Sequence, residues 1–236
     1  MVSVCIGSYN GEKYIEEQIE SILNQIDEAD ELIISDDGST DSTIEIIRNY
    51  DDQRIVFVKN TKWHGADGNS VNAMEHAKGD IIFLADQDDV WLPDKYLVMK
   101  EALNEYELVH CDSIVTDDKL NILKESFYSI LNNGPGIIKN IKKSTYYGSH
   151  MAFKREIYEK ALPFPKTSEI GHDLWLGLVA ETVGKVKFLD KRLMYYRRNG
   201  AAHCDIFEGS SRPMIVKFWG RVLMVFFYLK FRIKNV

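Results

Sequence analysis

Three times before residue 90 the chain runs from a short apolar stretch straight into a cluster of small polar and acidic side chains. Val2–Gly7 leads into Ser8-Tyr9-Asn10-Gly11, Glu31–Ser35 into Asp36-Asp37-Gly38-Ser39-Thr40-Asp41, and Ile81–Leu84 through Ala85 into Asp86-Gln87-Asp88-Asp89. Between these runs lie segments with apolar residues at helical spacing: Tyr14, Ile15, Ile19, Ile22, Leu23 and Ile26, then Ser42–Tyr50, then a stretch around Val71–Ala77. Ile55–Val58 is one more strand-like run. Strands alternating with helices predict an α/β fold with a mostly parallel central sheet covered on both faces. Ligands of such sheets gather outside the carboxyl ends of the strands, so the three polar clusters should converge on one rim.

Beyond Asp89 the pattern loosens. It predicts a helix from Pro93 to about Tyr106, a strand over Leu108–Val115, an irregular Lys124–Ser144 region, a strand over Tyr146–Phe153, a helix over Gly171–Glu181, and strands over Lys185–Leu189 and Arg192–Arg197. At 236 residues and 45% hydrophobic side chains, a full core is available near the upper size for one compact domain. Neither a repeat nor a low-complexity tract interrupts it. Cys5, Cys111 and Cys204 are odd in number and widely spaced, which fits neither a disulfide framework nor a zinc cluster. A reduced, cytoplasmic setting is expected, because the opening MVSVCIG is too short and lacks the basic flank of a secretory signal.

The acid cluster Asp86, Asp88, Asp89 can be read two ways. Like charges crowded where a buried strand emerges invite a divalent cation, and Mg2+ or Mn2+ takes one or two carboxylates plus phosphate oxygens. Equally, the cluster can be a solvated turn in which Asp89 or Asp94 starts the next helix. Asp36 and Asp37 can accept hydrogen bonds from a base or ribose, or simply close an Asx-type turn. Ser8, Tyr9 and Asn10 offer a flat ring and an amide to a nucleobase, or just a good Asn-Gly turn. In Gly171-His172-Asp173-Leu174-Trp175, Asp173 can be a general base with Trp175 a stacking platform for a sugar. Alternatively, Asp173 caps the helix, Trp175 joins the core with Leu174 and Leu178, and His172 is a surface residue.

Taken in order, SYNGEKYIEEQIESILNQ, DDGSTDST, ADQDDVWLPDK and GHDLWLGL resemble the family 2 glycosyltransferases, in particular bacterial rhamnosyltransferase-type members, over roughly residues 2–198. The resemblance implies a GT-A (Rossmann-like) fold, an inverting mechanism, a metal cofactor and a nucleotide-diphosphate sugar donor, either a UDP- or a dTDP-sugar with dTDP-rhamnose among the candidates. It implies a glycan or lipid-linked acceptor in cell-surface polysaccharide synthesis. Ser8, Tyr9, Asn10, Asp36, Asp37 and Asp86 become donor-binding candidates, Asp86 and Asp88 the acids of an Asp-x-Asp metal motif, Asp173 the catalytic base, and His172 and Trp175 acceptor contacts. Residues 1–211 are then one domain, with a nucleotide-binding half over 1–110 and an acceptor-binding half over 111–211. Two departures stand out. The family's Tyr-Arg-x-His-Gly segment reads Tyr196-Arg197-Arg198-Asn199-Gly200, with His203 four residues beyond Asn199, and the Lys59–Asn72 connection offers only Lys62 and His64 toward phosphates.

Residues 212–236 form a basic amphipathic tail. Its six Lys and Arg and no acid contribute +6 to a net charge of −7, so the first 211 residues stand at −13. That balance argues against nucleic acid as a partner. The longest uncharged run, eight residues between Arg221 and Lys230, is too short to span a bilayer. As a helix it places Lys217, Arg221, Tyr228 and Arg232 along one side, a pattern suited to a membrane surface, the cytoplasmic membrane's inner face included. Packing on the body or on a second copy in a homodimer is the competing reading. Two rival functions remain: a sugar-phosphate nucleotidyltransferase, for which SYNGEKY lacks the Gly-rich basic phosphate loop, and a non-catalytic nucleotide-sugar-binding protein, against which the retained Asp86, Asp88 and Asp173 argue.

Overall fold

The structure, a computed structural model, describes residues 1–198 and 213–235. The first half follows the alternation read from the sequence: β1 (Val2–Ser8), α1 (Ile15–Leu23), β2 (Glu31–Asp36), α2 (Thr43–Arg48), β3 (Ile55–Lys59), α3 (Ala66–His76) and β4 (Ile81–Asp86). Strands β3-β2-β1-β4 pair in parallel in that order. Side chains alternate across them as the pleat requires. Val4, Ile6, Leu32, Ile34 and Phe83 meet Ile15, Ile19 and Ile22 of α1 on one face, while Cys5, Ile33, Ile82 and Leu84 meet Val71 and Met74 of α3 on the other. Both faces are covered, as a parallel sheet needs.

The second half extends the same sheet. A short β5 (Val90–Trp91) leads to α4 (Lys95–Ala102), β6 (Leu108–Thr116), β7 (Ile122–Lys124), α5 (Tyr128–Leu131), α6 (Ile137–Lys142), a 3-10 turn at Gly148–His150, β8 (Met151–Lys154), α7 (Arg155–Ala161), α8 (His172–Val183), β9 (Val186–Arg197) and α9 (Met214–Asn235). β8 joins β4 antiparallel and carries the sheet on to β6, β9 and β5. This α/β arrangement, a parallel half with helices on both faces plus a C-terminal helix, is the expected architecture.

Several boundaries differ. The segment Tyr146–Phe153 is not one strand, because the 3-10 turn interrupts it before β8. The two strands expected after Lys185 are one, β9, whose register against β6 shifts at Cys111/Asp112, so a bulge rather than a break separates its halves. α4 starts two residues after Pro93, since Asp94 takes a left-handed φ of 70°. α7, a further helix beyond those expected, covers the core with Ile157, Tyr158 and Ala161.

α9 is seated on the body through Met224, Tyr228 and Phe231. Phe231 meets Trp175 edge-on at 5.6 Å between ring centres, and Thr182 Oγ1 donates to Tyr228 Oη at 3.3 Å. Tyr228 is therefore buried and does not share a solvent-facing stripe with the tail's cations. No helix among the described residues is long and apolar enough to cross a membrane.

Candidate active site

Parallel pairing decides where the polar clusters go. Ser8 lies beside Asp36 across the β1–β2 ladder and Gly7 beside Asp86 across the β1–β4 ladder, so the three strands release their loops at the same edge.

Asp36 and Asp37 take different roles there. Asp36 is buried and accepts from Ser8 Oγ at 3.2 Å, from the Gly38 and Ser39 N–H groups at 2.9 Å, and from Ser39 Oγ at 2.5 Å. Its oxygens close the loop on itself, helped by Gly38 at a φ of 91°. Asp37 reaches across to the β3–α3 connection, accepting from Asn60 Nδ2 at 2.8 Å and the Gly65 N–H at 2.7 Å, and pairing with His64 Nδ1 at 2.7 Å. Lys62 turns instead to Glu75 at 3.2 Å. Asn10 stitches the first loop to the second: its N–H donates to Ser39 Oγ and its Oδ1 accepts from the Thr40 N–H, both at 2.9 Å. Tyr9 is 55% exposed. Its backbone is clamped on both sides by the Gln87 amide, at 2.9 and 3.0 Å.

The Asp86–Asp89 segment is not a helix-capping turn. Asp94 makes no side-chain cap bond, and Asp89 is buried with Oδ1 accepting the Arg197 N–H at 3.0 Å. Asp89 Oδ2 has no hydrogen-bond partner. Burial, then the charges of Asp86 and Asp88, raise the Asp89 pKa well above the carboxylate range. Asp86 reaches solvent, yet the dense protein around it and the charge of Asp88 push its pKa up to about 6. Underneath lies Lys95, fully buried, with Nζ donating to the Ser149 carbonyl at 2.8 Å and standing 4.7 Å from the Trp91 ring centre.

α8 brings in the third element. Burial raises the Asp173 pKa, while the neighbouring His172 charge and the N–H groups of Leu174 and Gly148 work against the rise. For His172 burial acts downward, but a hydrogen bond with Asp67 and the charges of Asp173, Asp67 and Asp86 win, and its pKa is raised. Asp86 in turn feels the charges of His172 and Asp173, and the Ser149 hydroxyl beside Asp86 and Asp89 works against the rise of both. The Gly148–Ser149 turn thus lies between the strand-end acids and the helix-start pair. No local signal in the sequence marks Gly148, Ser149, Lys95, Gln87 or Asp67, because their partners lie far away along the chain.

Trp175 is corrected. It is 4% exposed, and its Nε1 donates to the Ala161 carbonyl at 2.8 Å, so it fills the core between α7 and α9 and has no face to offer a sugar. Asn199 and His203 lie outside the described residues.

Among the described residues no three His, Cys, Asp or Glu side chains converge as a metal cage. Two neighbouring carboxylates, Asp86 and Asp88, with the charge of Asp88 raising the proton affinity of Asp86, fit the other mode of divalent-ion binding, in which one or two acids share the ion with phosphate oxygens.

The sequence model of Glycosyl transferase family 2 matches residues 3–162. A Nostoc sp. glycosyltransferase, alr2836, is 29% identical over 216 residues, covering 85% of this chain and 65% of that protein. The Escherichia coli UDP-Glc:alpha-D-GlcNAc-diphosphoundecaprenol beta-1,3-glucosyltransferase WfaP is 41% identical over 95 residues, 40% of this chain and 38% of that one. Staphylococcus aureus TarS 1-349, solved with UDP-GlcNAc, superposes with a TM-score of 0.72 at 18% identity, over 96% of this chain and 66% of that one, a likeness of fold. The chain therefore spans less than two thirds of the length of these proteins. With the family model covering more than half of its residues, the chain belongs to glycosyl transferase family 2.

Proposed function

We propose that the chain transfers a hexosyl or deoxyhexosyl group from a UDP- or dTDP-sugar to a hydroxyl of a lipid-linked or glycan acceptor, with inversion, in cell-surface polysaccharide synthesis. The observation that carries this is that Asp173, at the start of α8, comes within electrostatic reach of Asp86 at the end of β4, on the rim where Tyr9 and Asp37 also emerge. Relatives that act on a diphosphoundecaprenol-linked sugar support the acceptor class.

The exposed Tyr9 ring, its backbone fixed by Gln87, suits stacking on the base, and Asp37 suits base or ribose recognition once its loop is set by Asp36. Asp88, with Asp86, would hold Mg2+ or Mn2+ together with the donor diphosphate, where the ion supplies Lewis-acid stabilisation of the departing phosphate oxygens. Asp173 takes the proton of the acceptor hydroxyl as that oxygen attacks the anomeric carbon. Its raised proton affinity makes it a stronger base than an exposed aspartate, and His172, held by Asp67, faces it with a countercharge. One displacement inverts the anomeric centre.

Donor hydrolysis and thermal shift across a panel of nucleotide sugars, with Mg2+ or Mn2+ and then with chelator, test this reading. Stabilisation by a UDP- or dTDP-sugar that disappears with chelator is expected. Full activity of Asp88→Ala in chelator would sink the metal role, and the absence of any stabilising donor would sink the transferase reading.

A further inference from the structure

α9 uses only a narrow face to pack on the body. Met224, Tyr228 and Phe231 are buried, whereas Ile215, Phe218, Trp219, Val222, Phe226 and Leu229 are exposed, Trp219 at 62%. An apolar surface of this extent on one helix calls for something to cover it. It continues across a groove of about 550 Å³ onto α6, where Ile138 (71% exposed) and Ile141 face Val225 and Leu229, with Lys139 and Arg232 at the groove. The cations of the two helices stand among these apolar side chains: Lys217, Arg221, Lys230, Arg232 and Lys234 on α9, Lys139 and Lys142 on α6, with no acid on either helix.

We infer that α9 and the α6 ridge form an interfacial face that lies on an anionic lipid bilayer. Such a surface offers both things the face lacks, an apolar layer for the aromatic and aliphatic side chains and anionic headgroups for the long cationic ones, which extend their stems along the apolar boundary. A second copy of the chain fits worse, since pairing this face with itself sets cations against cations with no acid on either helix to meet them. The helix cannot instead cross the bilayer. Because α9 packs on α8, the docked face lies one helix away from Asp173.

Flotation of the full chain with vesicles of phosphatidylcholine alone or mixed with phosphatidylglycerol tests the inference without donor or acceptor, so its outcome is separate from that of the transferase reading. Binding only to the phosphatidylglycerol vesicles is expected, with a blue shift of tryptophan emission that Trp219→Phe removes. Arg221→Gln with Lys230→Gln should weaken partitioning on the order of 30-fold. Phe218→Ser with Phe226→Ser should abolish it while leaving the melting temperature unchanged, because both rings are exposed. No flotation with phosphatidylglycerol, or flotation that ignores both double variants, would overturn the proposal. So would a dimer in sedimentation that Phe218→Ser with Phe226→Ser disperses in a chain that binds no vesicle.

Discussion

His172 and Asp67 tie the first turn of α8 to the first turn of α3: one carboxylate oxygen, Asp67 Oδ1, accepts the His172 N–H at 2.9 Å and stands 2.7 Å from His172 Nδ1. The link spans 105 positions of sequence and sits one residue from Asp173. Asp67→Ala removes both interactions. Asp67 is about one third exposed, so a stability loss of about 1 kcal/mol is expected, read by urea unfolding. Turnover should fall further than that loss explains, with donor affinity little changed, because the start of α8 loses its anchor. Wild-type turnover would show that His172 and Asp173 hold their places without Asp67.

Asp173→Asn keeps size and polarity but cannot accept the acceptor's proton. A fall in kcat of roughly 10²–10⁴ is expected, with donor binding by calorimetry unchanged. In the wild type, burial places the acid limb of the kcat/KM profile above the ordinary aspartate range. Turnover by Asp173→Asn at the wild-type rate would remove it from catalysis.

Asp86 holds its proton to about pH 6 in the folded chain, against an ordinary value of 3.8. Since the folded state binds this proton more tightly, its contribution to stability is complete below about pH 4 and is lost as pH rises through about 6. Solvent access at Asp86 limits the effect to about 1 kcal/mol. In chelator, Asp86→Asn should therefore unfold at higher urea than the wild type near neutral pH and lose that advantage in acid. Parallel pH curves for the two proteins would contradict the raised value.

Gln87 earns its place by its two backbone hydrogen bonds to Tyr9. Gln87→Ala frees the loop that carries the exposed ring, and donor Kd should weaken by roughly tenfold, about 1.4 kcal/mol, with kcat little affected. A change confined to kcat would place Tyr9 outside donor binding.

Local pattern was enough to read β1 through β4, because the apolar alternation and helical spacing that mark these elements lie within a few residues of each other. It was enough to bring Ser8, Asp36 and Asp86 to one rim, because parallel strands separated by helices have little freedom in where their ends point. For Trp175 the helical spacing pointed to a core position with Leu174 and Leu178, and only the family resemblance made it an acceptor contact. Only the packing of α9 and α7 around it buried the ring.

The sequence by itself determined the α/β alternation, the acids at the strand ends and the charge imbalance of the last helix, all of them properties of neighbouring residues. Tertiary structure alone decided that Asp36 turns its oxygens to its own loop while Asp37 reaches the β3–α3 connection, that Asp89 is buried near Lys95, and that the Gly148–Ser149 turn lies between the start of α8 and the end of β4. It also decided which side of α9 meets the body. Each of these depends on groups far apart in the chain, whose distance and dielectric surroundings exist only once the sheet has assembled.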